Sequence, residues 1–403
     1  MRTLLKSFKT ELRPTEAQKD KIRRSIGICR FLYNQYVARN ILLYRMYQRG
    51  LLDTHQKHFV TAMDFDKYVN HVLKKRLPWI DQCGSKARKK ALVNAEHAFQ
   101  RFFRGEGGFP RFKRKSREDV KLYFPKNNKG DWQIWRHKVM IPTLKQVRLK
   151  EYGYLPQDAN VISGTVSCVA GRYYVSVTAE IDEKSRYNKD CETSYAPPSD
   201  GIGIDLGIKS LAVMSNGNVF RNINKSPKVR ALERKLRREQ RRLSRKYEMR
   251  KKKGGSAAAA SANIGKKKLT VQRLHQRLTC IREDHENKVI HAIVKQKPRF
   301  ITMEDLNVKG MMKNRYLAKA VAQERFNSFL QKLQGKASVI GIELRIVDRF
   351  YPSSKRCHSC GHIHSDLKLS ERIYHCPACG AEIDRDYNAA LNLRDANEYR
   401  IAG

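Results

Sequence analysis

The spacing of apolar positions in the first quarter of the chain predicts one strand followed by helices. Residues 5–13 partly alternate apolar and polar side chains, which favours a strand, and residues 14–18 (Pro-Thr-Glu-Ala-Gln) form a helix-start signal. From Ile22 to Val37 apolar side chains recur at helical spacing, with Arg and Lys on the other face, so we expect one long amphipathic basic helix. Further helical patterns run through about 56–76 and 86–104.

After a glycine-rich stretch at 105–108 the pattern changes to short, aromatic, turn-separated strands. Strands are predicted at 109–113, 122–124, 132–135, 138–141, 147–149, 161–166 and 173–178. Many short strands at this spacing are typical of a small β-barrel. The strand at 5–13 would lead this barrel, and the helical block would then be an insertion into it.

A single carboxylate stands inside the apolar run from Gly201 to Met214. Asp205 follows β-branched residues, and Gly207 closes the run before a second apolar one, which predicts a strand, a tight turn and a strand. A carboxylate in a buried strand is costly unless something pairs with it. Two interpretations of this stretch stay open: Asp205 binds a divalent cation, or it accepts hydrogen bonds from backbone amides at the turn.

The same arrangement occurs again later in the chain. Residues 298–306 form an apolar strand pattern that reaches the carboxylate of Glu304. An amphipathic helix pattern around 320–335 follows, and 341–348 predicts another strand. Strands that alternate with helices imply an α/β sheet.

The most basic part of the chain separates these two acidic strands. Between Arg221 and Lys253 there are 16 Lys+Arg and 3 Glu, a net charge of +13. Two helices with narrow apolar seams are predicted, with seam positions Val229, Leu232, Leu236, Leu243 and Tyr247 in the first and Val271, Leu274, Leu278 and Ile281 in the second. Because residues 254–261 form a low-complexity joint, the helices would make an antiparallel hairpin. Such an arm is either a solvated coiled coil or a nucleic-acid-binding element, and charge of a single sign favours the second.

Four of the 9 cysteines form two C-x-x-C-G knuckles near the C-terminus, Cys357 with Cys360 and Cys376 with Cys379. This doubled spacing is typical of a structural four-cysteine zinc ribbon. A redox pair would need only one C-x-x-C, and an iron–sulfur site is the remaining alternative; tetrahedral thiolate coordination favours zinc. The other cysteines are scattered and are expected to be reduced packing residues: Cys29, Cys83, Cys168, Cys191 and Cys280.

Directly after the second knuckle, residues 384–393 predict a helix that carries Asp384 and Asp386 at its N-terminus, where a metal-bound phosphate could dock. If the sheet brings Asp205, Glu304 and Asp386 together, their carboxylates repel one another unless cations neutralise them, which implies two Mg²⁺ ions. Such a pair of ions activates water on one side of a phosphodiester and stabilises the leaving oxygen on the other. The expected reaction is hydrolytic cleavage of nucleic acid without a covalent nucleophile.

Composition supports a polyanionic partner. The 403 residues contain 83 Lys+Arg against 39 Asp+Glu, a formal charge of +44, which is far more than solubility requires. Nucleic acid is the first choice of partner, and a membrane surface or an acidic protein are the lesser ones. No apolar run reaches the length of a bilayer span, and charge follows the first residues in place of a secretory core, so we expect a soluble intracellular protein with no membrane partner.

These motifs resemble the TnpB family, which are transposon-encoded, RNA-guided DNA endonucleases related to compact type V CRISPR effectors. The resemblance covers nearly the whole chain, through the segments at 27–34, 108–113, 203–209, 303–306, 353–361, 376–380 and 384–392. It implies that Asp205, Glu304 and Asp386 are the catalytic, Mg²⁺-binding acids. In the family the third acid belongs to a D-x-N-A-A pattern, which selects Asp386 over Asp384.

The resemblance also implies a fold, which is α/β plus a small β-barrel with a helical insert. The nuclease domain would be RNase H-like (RuvC-type) with an inserted zinc ribbon, preceded by a wedge-type β-barrel that carries a helical recognition domain. The expected boundaries are 1–13 for the first barrel strand, 14–105 for the helical insert, 106–182 for the barrel, 183–200 for a linker and 201–403 for the nuclease domain, which holds the basic hairpin (225–297) and the ribbon (355–382).

The implied partners are a guide RNA from the transposon end and a double-stranded DNA target beside a short flanking motif. The protein would be a monomer in its RNA complex, in the cytoplasm of a prokaryotic host and associated with the nucleoid. The alternative function is an RNA-guided or general nucleic-acid-binding regulator without cleavage. All three acidic positions are filled, which argues against that alternative.

Overall fold

The computed structural model describes residues 3–52, 59–115, 120–126, 128, 130–157, 159–182, 200–252, 258–368 and 370–402. The chain forms two compact units, Met1–Thr193 and Ser194–Gly403. Residues 183–199 of the predicted linker, with Cys191, lie outside the described residues. No helix in the described part of the chain is long and apolar enough to cross a membrane.

The helical part of the first unit is built on one long helix. As the apolar spacing predicts, α1 spans Glu16–Gln48, and Thr15 with Gln18 forms a capping box at its start. The helices after it are α2 (Ala62–Tyr68), a π-helical turn (Val69–Leu73), a short helix (Lys74–Arg76), a 3-10 turn (Pro78–Gln82) and α3 (Ser85–Phe103). The helix predicted at 56–76 therefore begins only at Ala62, and its residues 56–58 lie outside the described residues.

Seven strands of the first unit form one antiparallel sheet. They are β1 (Thr3–Arg13), β2 (Leu122–Pro125), β3 (Gln133–Ile134), β4 (Lys138–Ile141), β5 (Lys145–Leu149), β6 (Asn160–Val169) and β7 (Arg172–Asp182). Their order is β2-β6-β7-β1-β5-β4-β3. The N-terminal strand pairs with β7 on one side and β5 on the other, so the strand predicted at 5–13 lies in the middle of the sheet.

The sheet curls so that its two outer strands approach each other. Gly164 on β6, which pairs with Phe124 of the outer strand β2, lies against the indole of Trp132, the residue before β3. A Cβ on Gly164 would come within 2.1 Å of that ring. No hydrogen-bonded ladder joins β2 to β3 in the described ranges, so the buried ring of Trp132 closes the predicted barrel at this point.

The prediction of a strand at 109–113 is wrong, because these residues form neither a strand nor a helix. The side-chain amide of Asn34 on α1 donates to the carbonyl oxygen of Lys113 (3.0 Å) and accepts from its N–H group (2.8 Å). This amide takes the place of a neighbouring strand, and Pro110 has no N–H group to donate to one.

The second unit contains the predicted α/β sheet. Its six strands are β8 (Ile202–Leu206), β9 (Ser210–Met214), β10 (Val219–Arg221), β11 (Phe300–Glu304), β12 (Glu343–Val347) and β15 (Arg400–Ile401), in the order β10-β9-β8-β11-β12-β15. The three central strands, β8, β11 and β12, are parallel. A separate two-stranded sheet consists of β13 (Ile373–His375) and β14 (Glu382–Asp384).

The basic arm is the predicted antiparallel hairpin of α4 (Pro227–Lys252) and α5 (Ala258–Lys295). Ion pairs fix its register, with Glu233 bound to Arg282 (2.9 Å) and Glu239 to Lys267 (2.5 Å). The predicted apolar positions form the seam, except Tyr247, which is 42% exposed. Residues 254–257 of the predicted joint lie outside the described residues. The helix has already resumed at Ala258, so the rest of the predicted joint is helical.

Four further helices complete the second unit: α6 (Val308–Met311), α7 (Ala318–Glu324), α8 (Phe326–Ile340) and α9 (Arg385–Arg394). One apolar core joins the sheet to α5 and α8, with Ile204 and Met303 from the strands and Ile290 and Phe329 from the helices. This core holds the parallel strands, and two of the three predicted acids, Asp205 and Glu304, lie near the carboxyl ends of β8 and β11.

Candidate active site

Two of the three predicted acids stand side by side on parallel strands. Ile204 of β8 is in register with Met303 of β11, so Asp205 and Glu304 follow at neighbouring positions where both strands approach their carboxyl ends. Both residues are partly buried. This juxtaposition depends on pairing between segments about a hundred residues apart, and the sequence pattern predicted each strand but not their adjacency.

The third predicted acid arrives on a helix that lies directly on β8. Asp386 is in the first turn of α9, and that helix is in close contact with the backbone of Gly203: a Cβ at Gly203 would lie 1.9 Å from the carbonyl oxygen of Ala390 and 2.4 Å from the amide nitrogen of Arg394. Sequence reasoning did not single out Gly203. The only signal was a glycine two residues before the acid in an otherwise β-branched strand.

Replacing Gly203 with alanine is expected to destabilise the protein by about 3 kcal/mol and to displace Asp386 from Asp205, because the new methyl group overlaps backbone atoms that cannot rotate away. Thermal and urea unfolding measure the loss. The matched control is Gly265→Ala within α5, where an added Cβ meets nothing within 4 Å; this change is expected to stabilise the helix by roughly 0.5–1 kcal/mol. Equal stability of the two variants would contradict the close approach of α9.

Asp205, Glu304 and Asp386, hereafter the acid cluster, interact electrostatically, because the charges of Glu304 and Asp386 both act on the pKa of Asp205. Burial and, after it, the negative charges of Asp386 and Glu304 together raise the pKa of Asp205 to about 7, against an opposing effect of Arg385. Burial likewise raises the pKa of Glu304 to about 7, although a hydrogen bond from the buried hydroxyl of Ser353 opposes the shift. A cluster with this much unfavourable negative charge is suited to cations.

Asp384 has a different place from Asp386. Its carboxylate caps α9 by accepting hydrogen bonds from the backbone N–H groups of Asp386 and Tyr387, both at 3.0 Å. The carboxylate of Asp386 instead lies 3.6 Å from Arg385 and 3.8 Å from Arg372. Asp384 therefore orients the first turn of the helix, and Asp386 keeps a carboxylate for other partners.

A cavity of about 330 Å³ opens beside this helix terminus. Its lining includes Asp384, Asp386 and Tyr387 from the helix terminus and Lys209 with Ser210 at the start of β9. The cavity therefore combines carboxylates, a lysine and a helix N-terminus, which is the setting in which a metal-bound phosphate group can be held.

The four predicted cysteines come together in the ribbon, residues 355–382. The sulfur atoms of Cys357, Cys360, Cys376 and Cys379 all lie within 4.8 Å of one another, and among the described residues no other set of three or more Cys, His, Asp or Glu meets that spacing. The acid cluster is therefore more widely spaced than the cysteines. Burial opposes ionisation of Cys376, but N–H groups of Cys379 and Ala378 lower its pKa to about 6. Four thiols with amide donors can hold one tetrahedral metal ion.

The ribbon is tied to the helix that carries Asp386. The side-chain amide of Asn388 on α9 donates to the carbonyl oxygen of Arg356 (2.7 Å) and accepts from the N–H group of His358 (3.0 Å). Asn392, one turn later, donates to the same carbonyl (2.6 Å). Both asparagines flank the first knuckle, so the state of the cysteine cluster can influence α9. The sequence showed both asparagines in the motif that follows Asp386, but it gave no indication that they bind the first knuckle.

The sheet, the acid cluster and the inserted ribbon define a protein with an RNase H-like, RuvC-type fold. A solved structure supports this class: the cryo-EM structure of the Cas12f1-sgRNA-target DNA complex matches with a TM-score of 0.53 over 99% of this chain and 100% of that chain. At 14% sequence identity this likeness shows the fold alone.

Comparisons of sequence find relatives that match nearly the whole chain. A protein of Streptomyces pristinaespiralis named as an RNA-guided DNA endonuclease is 28% identical over 98% of this chain and 89% of its own length. A protein of Escherichia coli (strain K12) that is named as the RNA-guided DNA endonuclease InsQ is 28% identical over 99% of this chain and 94% of its own length. The resemblance to RNA-guided DNA endonucleases that the motifs predicted is therefore confirmed over nearly the whole chain.

Three family models match parts of the chain. They are described as "Probable transposase" (residues 176–315), "Cas12f1-like, TNB domain" (residues 326–393) and "Helix-turn-helix domain" (residues 1–49). In the last segment the described residues form the strand β1 and the single helix α1. The described residues of this N-terminal segment therefore form a sheet strand followed by one long helix, and not a helix-turn-helix.

Proposed function

We propose that this protein is an RNA-guided endonuclease that cleaves double-stranded DNA next to a short flanking motif and is associated with a transposon. The observation that carries the proposal is the convergence of Asp205, Glu304 and Asp386 at the carboxyl ends of two parallel strands and the start of one helix. Two relatives that match nearly the whole chain and are named as RNA-guided DNA endonucleases support it.

We propose that the acid cluster holds two Mg²⁺ ions. Its donors are carboxylate oxygens, the ligands that Mg²⁺ prefers, and their mutual repulsion is relieved by cations. When bound, the ions would activate the attacking water and stabilise the leaving oxygen of the phosphodiester. Asp205 and Glu304 supply ligands from rigid strands, and the Asp384 cap fixes the turn from which Asp386 projects.

Other residues of the site act on the substrate strand. Arg372 and Arg385 lie beside Asp386 and offer guanidinium donors for a phosphate adjacent to the one that is cleaved. Ser353 donates to Glu304 and orients its carboxylate. We assign these three side chains to positioning, because none of them is placed to accept a proton from water at neutral pH.

We propose that the four cysteines bind one structural Zn²⁺. Four thiols at mutual distances below 4.8 Å fit the tetrahedral, all-sulfur coordination of structural zinc sites. The metal would hold the ribbon, and through Asn388 and Asn392 the ribbon would hold α9. The two metals would thus have separate tasks.

Guide and target would be bound mainly by charge. The chain has 83 Lys+Arg against 39 Asp+Glu, and this positive charge would supply salt-dependent affinity for phosphates. Base pairing with a guide RNA would supply the choice of sequence. The proposed complex contains one protein chain, one guide RNA from the transposon end and one DNA duplex, in the cytoplasm of a prokaryote.

The proposal is tested by expressing the protein with its flanking DNA and sequencing the RNA that co-purifies. One discrete RNA is expected, and the complex should cut a plasmid carrying the matching sequence when Mg²⁺ is present. A duplex with a scrambled target is the control and should stay intact. Heterogeneous RNA and no cutting would contradict the nuclease and leave a nucleic-acid-binding regulator.

A further inference from the structure

A second cavity, of about 380 Å³, lies at the base of the basic arm. Its walls are the first half of α4, the turn at 222–225 and the end of α7. None of its lining residues belongs to the acid cluster or to the ribbon. Its volume falls in the range of small-ligand sites.

The α4 wall of this cavity carries a row of arginines together with Glu233, whose carboxylate is paired with Arg282 (2.9 Å) and Lys319 (3.4 Å). Arg230, Arg234 and Arg237 follow one another at i, i+4 and i+7 on α4, which places them on one face over a length of about 10 Å. All three are exposed, and within the described ranges none of their guanidinium groups makes a hydrogen bond or ion pair with the protein. Three unpaired guanidinium groups in a row are suited to an anion such as phosphate.

The lining contributed by the end of α7 includes a buried carboxyl group. Glu324 is 6% exposed, and its Oε1 accepts hydrogen bonds from the side-chain amides of Asn222 and Asn224, the latter at 3.1 Å. No partner for Oε2 is found among the described residues. Burial raises the pKa of Glu324 to about 7, and the bonds from the two asparagines only partly oppose this shift. Glu324 therefore retains one oxygen for a hydrogen-bond donor in the cavity.

The two walls require a ligand with two different ends. A carboxyl group repels phosphate but accepts from an N–H group, so a simple phosphate ion would satisfy the arginines and leave Glu324 unused. We propose that this cavity binds one nucleotide, with its phosphate on Arg230, Arg234 and Arg237 and the exocyclic amino group of its base on Glu324. Adenine, cytosine and guanine carry that amino group, whereas uracil and thymine do not.

The test compares two nucleotides that differ at this one group. Binding of CMP, UMP and inorganic phosphate to the full chain, freed of co-purifying nucleic acid, is measured by titration calorimetry. CMP is expected to bind at least about tenfold more tightly than UMP, because only CMP donates to Glu324. Equal affinity for CMP and UMP, or phosphate binding as tight as CMP, would overturn the proposal without the need for any variant.

Variants then assign each end of the ligand. In the Glu324→Gln variant the affinity for CMP should fall to within about twofold of the affinity for UMP. The double change Arg234→Ala with Arg237→Ala should lower the affinity for both nucleotides by roughly tenfold. Arg238→Ala is the matched control, since Arg238 is exposed on the same helix and does not line the cavity; a loss of affinity as large as that of the double variant would refute the assignment. Unfolding curves of all variants check that they are folded.

A last comparison distinguishes the sources of the nucleotide. Tighter binding of a trinucleotide with a central cytidine than of CMP places a nucleic-acid strand in the cavity, and equal binding places a free nucleotide there. The whole test measures binding and changes no residue of the acid cluster, so its failure would leave the proposed cleavage untouched.

Discussion

Asp205→Asn is expected to lower the rate of DNA cleavage by roughly a thousandfold or more while the protein keeps its affinity for RNA and DNA. The substitution preserves the size of the side chain and the strand pairing of Asp205 with Val213, but it removes one carboxylate from the acid cluster. Affinity should persist because it comes from the many lysines and arginines elsewhere in the chain. Single-turnover cleavage and filter binding measure the two quantities separately.

The same variant should be at least as stable as the parent at pH 8 without Mg²⁺. The pKa of Asp205 is about 7 in the folded protein, raised from 3.8, so the folded state binds this proton more tightly than the unfolded state. Stability from this group is therefore present at low pH and is lost as the pH rises through about 7. Asparagine has no such charge, and a lower unfolding temperature of the variant at pH 8 would contradict the placement of Asp205.

Neighbouring acids provide the controls. Asp305 follows Glu304 directly, but its carboxylate pairs with Arg349 (3.2 Å) and Arg400 (3.5 Å), so Asp305→Asn should retain cleavage. Asp384→Asn should also retain it, because asparagine caps a helix as well as aspartate does. Asp386→Asn should abolish it. If Asp384→Asn were inactive and Asp386→Asn active, the third acid of the site would be Asp384.

Cys376→Ser is expected to remove one equivalent of zinc, to unfold the ribbon and to reduce cleavage strongly. Structural zinc contributes folding free energy directly, so a ribbon with three thiols is not held together. The loss should extend to α9, because Asn388 and Asn392 bond to the first knuckle. Elemental analysis of the pure protein, hydrogen exchange of the ribbon and cleavage assays give the three readouts.

Cys280→Ser is the matched control for the zinc prediction. Cys280 is an exposed free cysteine on α5, away from the four-cysteine set, and its replacement should leave zinc content and cleavage unchanged. Full zinc content in Cys376→Ser, or none in the parent, would refute the metal assignment. A chelator that strips zinc from the parent should reproduce the behaviour of Cys376→Ser, and added Mg²⁺ should not restore cleavage.

Local pattern determined most elements of this protein. The strand at 5–13, the helix from Glu16, the two-helix arm and the strands that carry Asp205 and Glu304 all followed from the period of apolar positions. The four cysteines were equally readable, since C-x-x-C-G imposes its own turn. The roles of the acids remain a prediction, and the domain boundaries do too. The strands, the helices and the cysteine motifs each depend on a short stretch of sequence, which is why they can be predicted from the sequence alone.

Tertiary structure decided how these elements meet. Residues 109–113 look like a strand, but the amide of Asn34, far away in the sequence, satisfies their backbone. Gly203 matters because α9 approaches it across the sheet, and Glu324 matters because two asparagines a hundred positions earlier hold it beside three arginines. Sequence by itself determined the local elements and the metal-ligand motifs, and the tertiary structure decided which side chains share one site, because contacts between distant segments leave no periodic signal in the chain.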